Sequence, residues 1–183
     1  SLPVVLAIDR AGLVGEDGAT HQGSFDMAYL RHIPNLTLLA PKDILELEQM
    51  LEFALNFDKP IAIRYPKGKF PVIPTSKEIE KITLGQAEIL KKGTNLAIMA
   101  IGSMVSVALA TSKLLEKENI NTWVINSRFV KPLDKELFKN LSMPALPAGR
   151  QVKKIITIEE GVLEGGFGSA VLELLEELAY LRR

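Results

Sequence analysis

The stretch DRAGLVGEDGATHQGSFD, residues 9–26, directly follows an apolar run at residues 3–8. It is rich in glycine and carries an arginine, four acidic residues and one of the two histidines of the chain. Polar loops at the end of a buried strand are where α/β proteins place their binding and catalytic groups. The pattern therefore predicts an α/β fold in which this loop carries the chemistry.

The segments on either side of the loop alternate between strand-like and helix-like patterns. Strands are expected at residues 3–8, 36–40 and 60–65, the first of them buried on both faces as in a parallel sheet. A short helix is expected at 25–31 with Ser24 as its N-cap, and a longer one begins after the cap residue Asp43. The apolar spacing of the longer helix predicts a buried stripe of Leu45, Leu47, Met50, Leu51 and Leu55.

Proline-rich residues 66–84 show no clear period and predict a linker between two compact units. Beyond it the chain again alternates strands and helices, which predicts a mostly parallel sheet with right-handed crossovers. We therefore expect two α/β domains, residues 1–78 and 79–183, each a mostly parallel sheet with flanking helices. The segment 142–152 is expected to be an exposed loop. The expected strands of the second domain are 86–90, 95–101, 121–127 and 154–159, with helices at 102–117, 134–141 and from the glycine run 165–168 to 181.

Composition excludes several classes of function. The chain has 22 basic and 22 acidic residues, so no net charge attracts it to nucleic acid or to an anionic membrane. It has no cysteine, which removes disulfides, thiolate metal sites and cysteine nucleophiles and fits a cytoplasmic protein. No apolar run approaches the roughly 18 residues of a membrane span.

Two pairs of side chains are candidates for chemistry. His21 lies in the glycine-flanked loop four residues after Asp17, and imidazole suits proton exchange near neutral pH. A solvated histidine beside an Asx- or ST-turn explains the same pattern equally well. Arg10 and Arg64 each follow a predicted strand, so their guanidinium groups can converge on one phosphate, although ion pairs with nearby acids are the alternative.

Other features favour structural roles. His32 follows Arg31 at a predicted helix end, where contact with the helix dipole suffices to explain it. The glycines at 165–168 do not match a nucleotide-binding fingerprint and favour close packing of a helix on the sheet over ligand binding. No spacing of acidic residues and histidines predicts a metal site, and no G-x-S-x-G supports a serine nucleophile.

Four stretches together resemble the transketolase-like, thiamine-diphosphate-dependent enzymes. They are DRAGLVGEDGATHQGSFDMAYLRHIPNLTLLAPKD at 9–43, IAIRYPKG at 61–68, INSRFVKPLD at 125–134 and IEEGVLEGGFGSAVLELL at 158–175. The resemblance covers essentially the whole chain in order. It implies that residues 1–78 are the latter part of a pyrimidine-binding domain and residues 79–183 a transketolase carboxyl-terminal-like domain, both cut from a longer enzyme.

The resemblance also implies an activity and roles for particular residues. It implies a transferase that condenses pyruvate with glyceraldehyde 3-phosphate, releasing carbon dioxide, to give 1-deoxy-D-xylulose 5-phosphate for isoprenoid, thiamine and pyridoxal synthesis. By that resemblance Arg10 and Arg64 bind the phosphate of the aldehyde. Asp17 and His21 position the acceptor and take part in proton transfer.

The cofactors implied for the longer parent are thiamine diphosphate and Mg²⁺, and the implied assembly is a homodimer. The glutamate that activates the cofactor and the G-D-G…N motif that holds its diphosphate lie outside this sequence. We therefore assign no cofactor or metal ligand here and expect the isolated chain to be inactive. The alternatives are one subunit of a split transketolase, the beta subunit of a 2-oxo acid dehydrogenase, or a non-catalytic dimerisation or regulatory module.

Overall fold

A computed structural model describes residues 2–70, 73, 81–94, 96–142 and 152–178. Two four-stranded sheets carry helices on their faces, which confirms the expected α/β class. The elements in chain order are β1 (Val5–Ile8), α1 (Asp26–Arg31), β2 (Thr37–Leu39), α2 (Ile44–Leu55), β3 (Ile61–Arg64), β4 (Glu88–Lys91), β5 (Leu96–Ala100), α3 (Met104–Lys117), β6 (Thr122–Asn126), β7 (Phe129–Lys131), α4 (Lys135–Ser142), β8 (Lys154–Ile158) and α5 (Phe167–Glu177).

The first sheet has the order β1-β3-β2-β7. Its first three strands are parallel, with Ile8 opposite Arg64 in the register of β1 and β3. The carboxyl ends of β1 and β3 therefore meet at one edge of the sheet, directly before the loop 9–26. This edge is where an α/β sheet places its ligands.

The fourth strand of this sheet, β7, comes from the second half of the chain and pairs antiparallel with β2. Our sequence interpretation missed it, because a three-residue strand whose hydrogen-bond partner lies some ninety positions earlier leaves no local pattern. The second sheet, β4-β6-β5-β8, has parallel β5–β6 and β5–β8 pairs and an antiparallel β4. It is mostly parallel, as expected.

Two expectations about the first half of the chain were wrong. Strand β1 is not buried on both faces: Val5 is 37% and Leu6 38% exposed. In the described sheet β1 is an edge strand that pairs only with β3, so its apolar sequence does not by itself bring burial. Ser24 does not cap α1, since the helix begins at Asp26 and Phe25 occupies the cap position without a side-chain bond.

The predicted stripe of α2 was also partly wrong. The helix buries Glu46, Met50 and Ala54, whereas Leu45, Leu51 and Leu55 of the predicted stripe are exposed. Asp43 is the cap as expected, and its carboxylate accepts a bond from the Glu46 amide. The buried face of the helix includes Glu46, whose carboxylate is paired with two cations, Lys42 and Arg128.

Those cations belong to what we call the interface charge cluster, which joins the two halves of the chain. The Glu46 carboxylate lies 3.2 Å from Lys42 Nζ and 2.8 Å from Arg128 Nε. Glu88 Oε2 lies 2.9 Å from Lys42 Nζ and 3.6 Å from Arg128 Nη2. Asn126 Nδ2 donates to both carboxylates. Its members, Lys42, Glu46, Glu88, Asn126 and Arg128, are buried apart from Glu88, whose side chain is 17% exposed.

Each cluster carboxylate needs a cation, because buried charge without a partner is unfavourable. Burial alone would lower the pKa of Lys42, but the charges of Glu46 and Glu88 outweigh it and raise that pKa. Burial alone would raise the pKa of Glu88, but hydrogen bonds from Lys42 and Asn126 outweigh it and lower that pKa. Lys42 and Glu88 therefore stay charged, and the ion pairs of the cluster connect the two halves of the chain.

One apolar core also spans both halves, with Met27 and Leu38 packing in the same cluster as Phe167 and Val171. The domain boundary at 78/79 stays a prediction. Residues 71–72 and 74–80 of the expected linker, residues 143–151 of the expected loop and the expected end of the last helix lie outside the described residues. No helix within the described ranges is long and apolar enough to cross a membrane.

Candidate functional site

The loop 9–26 is closed on itself by two backbone hydrogen bonds. The amide of Gly12 donates to the carbonyl of Gly23 at 3.2 Å, and the amide of Gly23 donates to the carbonyl of Gly12 at 2.9 Å. A Cβ atom on Gly23 would lie 2.0 Å from the Arg10 carbonyl oxygen, and Gly12 has a positive φ of 71°. Both glycines are therefore required by the geometry of the closure.

The side chain of Gln22 braces the interior of the loop. Its amide oxygen accepts from the Val14 amide at 2.6 Å, and its nitrogen donates to the carbonyls of Val14 at 2.9 Å and Gly18 at 2.6 Å. Sequence reasoning treated Gln22 only as part of a family string. No simple spacing rule would have found this role, because the three contacts depend on how the loop folds back.

Arg10 is the central cation of the loop. Its backbone is in the left-handed region at φ 61°, which is uncommon for a residue with a side chain and costs free energy. Its Nε lies 2.6 Å from Asp17 Oδ2 and its Nη1 lies 2.9 Å from Asp9 Oδ2. The hydrogen bond to Asp17 and the charge of Asp9 raise the pKa of Arg10.

Asp17 binds a second cation, Lys67, through its other oxygen, Oδ1. Hydrogen bonds from Lys67 and Arg10 lower the pKa of Asp17. We call Asp9, Arg10, Asp17 and Lys67 the loop charge cluster. Sequence reasoning missed Lys67, although its position in the R-Y-P-K-G string just after β3 places it at the same sheet edge as Arg10.

Arg64 lies at the same edge but in a different environment. Its side chain is 3% exposed, and its Nε lies 3.0 Å from Asp26 Oδ2. Its Nη2 donates to the carbonyls of Gly23 at 2.8 Å and Glu160 at 2.5 Å. Arg64 therefore fastens the loop to β3 and to the second half of the chain. The expected juxtaposition of two arginines at neighbouring strand ends is present, while phosphate binding by Arg64 stays a prediction.

His21 is exposed, and its Nδ1 lies 3.0 Å from the hydroxyl of Thr20. The contacts described for Asp17 go to Arg10 and Lys67 rather than to this imidazole. His21 and Arg10 nevertheless line one open cavity of about 280 Å³. Thr20, Phe25 and Tyr29 are among the other residues that line it. The structure thus brings His21 and Arg10 together, and the proposed roles of His21 and Asp17 remain predictions.

The glycine run before α5 binds an internal carboxylate. Glu159 Oε2 accepts from the Phe167 amide at 2.7 Å, and its Oε1 accepts from the Gly168 amide at 2.8 Å. A Cβ on Gly166 would lie 2.5 Å from Glu159 Oε2. These contacts favour the packing interpretation of the run. His32 lies exposed at the C-terminal cap of α1.

Within the described ranges, no three histidine, cysteine or acidic side chains are grouped closely enough to hold a metal ion. The carboxylate of Asp17 in the loop 9–26 is bound to Arg10 and Lys67. This donor set suits an anion rather than a divalent cation.

The family matches of the sequence agree with the two α/β sheets and the loop at the strand ends. The family model "Transketolase, pyrimidine binding domain" matches residues 1–72, and "Transketolase, C-terminal domain" matches residues 85–183. The chain belongs to the transketolase family.

Within the family, the chain is similar in sequence to particular curated proteins. The chain is 51% identical over 174 residues to 1-deoxy-D-xylulose-5-phosphate synthase of Heliobacterium modesticaldum, covering 95% of this chain and 26% of that protein. It is 51% identical over 177 residues to 1-deoxy-D-xylulose-5-phosphate synthase 1 of Geobacter sulfurreducens, covering 97% and 27%. The chain thus spans about a quarter of the length of these relatives.

Solved structures show the same fold. The chain of a split gene transketolase, described as an inactive beta4 tetramer, has a TM-score of 0.81 and 31% identity, covering 94% of this chain and 53% of that one. A transketolase from Campylobacter jejuni has a TM-score of 0.66 at 21% identity, covering 97% of this chain and 30% of that one, and shows the fold alone.

Proposed function

We propose that this chain supplies the acceptor-binding part of a thiamine-diphosphate-dependent enzyme, which condenses pyruvate with glyceraldehyde 3-phosphate to 1-deoxy-D-xylulose 5-phosphate and carbon dioxide. The chain is identical at about half of the aligned positions to proteins named 1-deoxy-D-xylulose-5-phosphate synthase, and this identity supports the proposal. The observation that carries it is the location of Arg10, Asp17 and His21 on one closed loop at the ligand-binding edge of the first sheet.

In this proposal Arg10 holds the phosphate of the aldehyde. Its guanidinium is part-exposed at the cavity, and its raised pKa keeps it cationic. A guanidinium fork matches two phosphate oxygens. Arg64 is the second arginine of the proposed pair, but its bonds to Asp26 and to two carbonyls make it chiefly the anchor that fixes the loop beneath the phosphate.

His21 is the proposed proton carrier of the acceptor site. Its Nδ1 is directed to the Thr20 hydroxyl, so Nε2 is the nitrogen that would exchange a proton with the acceptor. Asp17, with its lowered pKa, is an anion at neutral pH and would orient the acceptor by accepting a hydrogen bond. Thiamine diphosphate, with Mg²⁺, would supply the carbanion chemistry. In this proposal the cofactor is held by residues outside this chain.

The proposal is tested in the intact enzyme that contains this chain, which we expect to work as a homodimer in the cytoplasm. It should form 1-deoxy-D-xylulose 5-phosphate from pyruvate and glyceraldehyde 3-phosphate, and Arg10→Ala should raise KM for the aldehyde about tenfold or more. His21→Ala should lower kcat more than it raises KM. An enzyme that makes no such product, or an Arg10→Ala variant with unchanged KM, would refute it.

The 183-residue chain by itself should show neither turnover nor tight cofactor binding. Calorimetry with thiamine diphosphate measures this directly, and stoichiometric binding in the micromolar range would contradict it.

A second candidate is one subunit of a split enzyme, favoured by the structural similarity to a split gene transketolase. The two candidates differ in assembly. A split enzyme gains activity when a separately encoded partner chain is added, and the partner chain then helps to determine which substrates are used. Co-expression with adjacent reading frames, followed by assay with pyruvate and with a ketose phosphate donor, distinguishes them.

A further inference from the structure

The proposed function leaves one cation of the loop charge cluster without a role. Lys67 Nζ binds Asp17 Oδ1, while Arg10 Nε binds Asp17 Oδ2 at 2.6 Å. The two cations thus hold the two oxygens of one carboxylate between them. They come from different segments, Arg10 from the loop after β1 and Lys67 from the chain after β3.

A carboxylate in this position has the chemistry of the ligand that the site is proposed to take. A phosphate monoester presents neighbouring acceptor oxygens as a carboxylate does, and both anions are bound by the same arginine and lysine groups. A phosphate dianion carries more charge than a carboxylate, so it is attracted more strongly by the same two cations. Asp17 therefore occupies the position that an anionic ligand would favour.

The exposure of these groups allows an exchange of partner. The side chains of Arg10 and Lys67 are 36% and 41% exposed, while that of Asp17 between them is 12% exposed. Because water reaches both cations, these ion pairs contribute less free energy than pairs in which both partners are buried. The nearby Arg64 differs, because it is 3% exposed and compensated by Asp26. Arg10 and Lys67 are therefore the cations that can give up Asp17 for a stronger anion.

We propose that Lys67 is the second cation of the phosphate site, and that the acceptor's phosphate replaces the Asp17 carboxylate between Arg10 and Lys67. Asp17 is then released to act on the acceptor. Phosphate binding thereby positions the orienting carboxylate, so an acceptor without phosphate is a poor substrate. This inference rests on the proposed function for the identity of the acceptor but not for the anion site itself.

The anion site is tested on the 183-residue chain by titrating inorganic phosphate and following amide chemical shifts by NMR. Lys67→Gln should weaken phosphate binding about fivefold to tenfold relative to wild type. Lys69→Gln, which changes an exposed lysine two residues further on, is the matched control and should leave it unchanged. Equal affinities for Lys67→Gln and wild type would overturn the assignment of Lys67.

The exchange is tested in the same titration with Asp17→Asn. Removal of a competing carboxylate should tighten phosphate binding, because the cations no longer have to give up an internal anion. Weaker binding in Asp17→Asn would show that Asp17 orients the cations for phosphate instead, and would overturn the exchange. Matching thermal midpoints for wild type and each variant establish that the fold is retained.

Kinetics of the intact enzyme separate failure of this inference from failure of the proposed function. Lys67→Gln should raise KM for glyceraldehyde 3-phosphate by a larger factor than it changes KM for unphosphorylated D-glyceraldehyde. If Arg10→Ala shows this selectivity and Lys67→Gln does not, the inference alone fails. If neither shows it although phosphate still binds the isolated chain, the assignment of the acceptor fails while the anion site stands.

Discussion

The two charge clusters of this chain have the same ionic composition and opposite surroundings. The loop charge cluster contains two cations and two carboxylates, Asp9, Arg10, Asp17 and Lys67, at the open edge of the first sheet. The interface charge cluster also contains two cations and two carboxylates, but it is sealed between the two halves of the chain. The burial of the cations, which are 36% and 41% exposed in the loop cluster and 4% and 1% exposed in the interface cluster, therefore separates a cluster that can exchange its partners from one that cannot.

The energetic contrast follows from the solvent. An exposed ion pair contributes little because water screens it and competes for each group. In a buried cluster the loss of one member leaves its partner charged and without water, at a cost of about 3–5 kcal/mol. The interface cluster should accordingly control stability, and the loop cluster should control ligand binding.

The largest expected effect comes from breaking the interface cluster at its centre. Glu46→Gln removes the charge that compensates Lys42 and Arg128, so the free energy of unfolding should fall by about 3–5 kcal/mol in urea titrations. Glu48→Gln, on the exposed side of the same helix, should leave it nearly unchanged. If Glu46→Gln lowered the free energy of unfolding by less than about 1 kcal/mol, the cluster would contribute no more to stability than ordinary surface ion pairs do.

The two arginines at the sheet edge provide the next test. Arg64→Met leaves the carboxylate of Asp26, which is 3% exposed, without its cation, and should lower the free energy of unfolding by about 3 kcal/mol. Arg10→Met should leave the urea midpoint close to that of wild type. Equal midpoints for the two variants would remove the distinction between an anchoring and a ligand-binding arginine.

The features that could be predicted from the sequence are those that depend on contacts between neighbouring residues. The apolar runs and helix spacings predicted two mostly parallel sheets, and the stretches D-R-A-G at 9–12 and D-G-A-T-H-Q-G at 17–23 led to Arg10, Asp17 and His21. The cap role of Asp43 was predicted because a cap bonds within its own helical turn. These features can be read from neighbouring positions.

The remaining features depend on distant partners. Strand β7 pairs with β2, and the buried Glu46 bonds Arg128, which lies more than eighty residues further along. Lys67 contacts Asp17 across fifty positions. A leucine pattern cannot reveal that the buried face of a helix includes an ion-paired carboxylate, which is why the predicted stripe of α2 was partly wrong.

A smaller effect is expected from the backbone closure of the loop. Gly23→Ala places a Cβ 2.0 Å from the Arg10 carbonyl oxygen, and the forced shift should cost about 1–3 kcal/mol and weaken phosphate binding. Gly15→Ala, where an added Cβ meets nothing within 4 Å, is the matched control. Phosphate titration and urea unfolding of both variants measure the two effects. An unchanged Gly23→Ala would contradict the role of the closure.

The smallest effect is a pH dependence of the interface cluster. Because the pKa of Glu88 is lowered on folding from its ordinary value of 4.5, its contribution to stability is full above that pH and is lost as the pH falls through the folded pKa. The difference in unfolding free energy between wild type and Glu88→Gln should therefore shrink on acidification below 4.5. Glu118→Gln, at an exposed position, should differ little from wild type at any pH. A difference that grows on acidification would contradict the direction of the shift.

The most direct test of the division between the clusters is a comparison of glycerol 3-phosphate with glycerol as ligands of the 183-residue chain. We expect glycerol 3-phosphate to shift the amide resonances of the loop charge cluster saturably, leave those of the interface cluster in place, and bind about tenfold more weakly to Arg10→Gln. Glycerol should produce no such shifts. Equal responses to the two ligands, or an Arg10→Gln variant that binds glycerol 3-phosphate as wild type does, would contradict the assignment of the loop to phosphate.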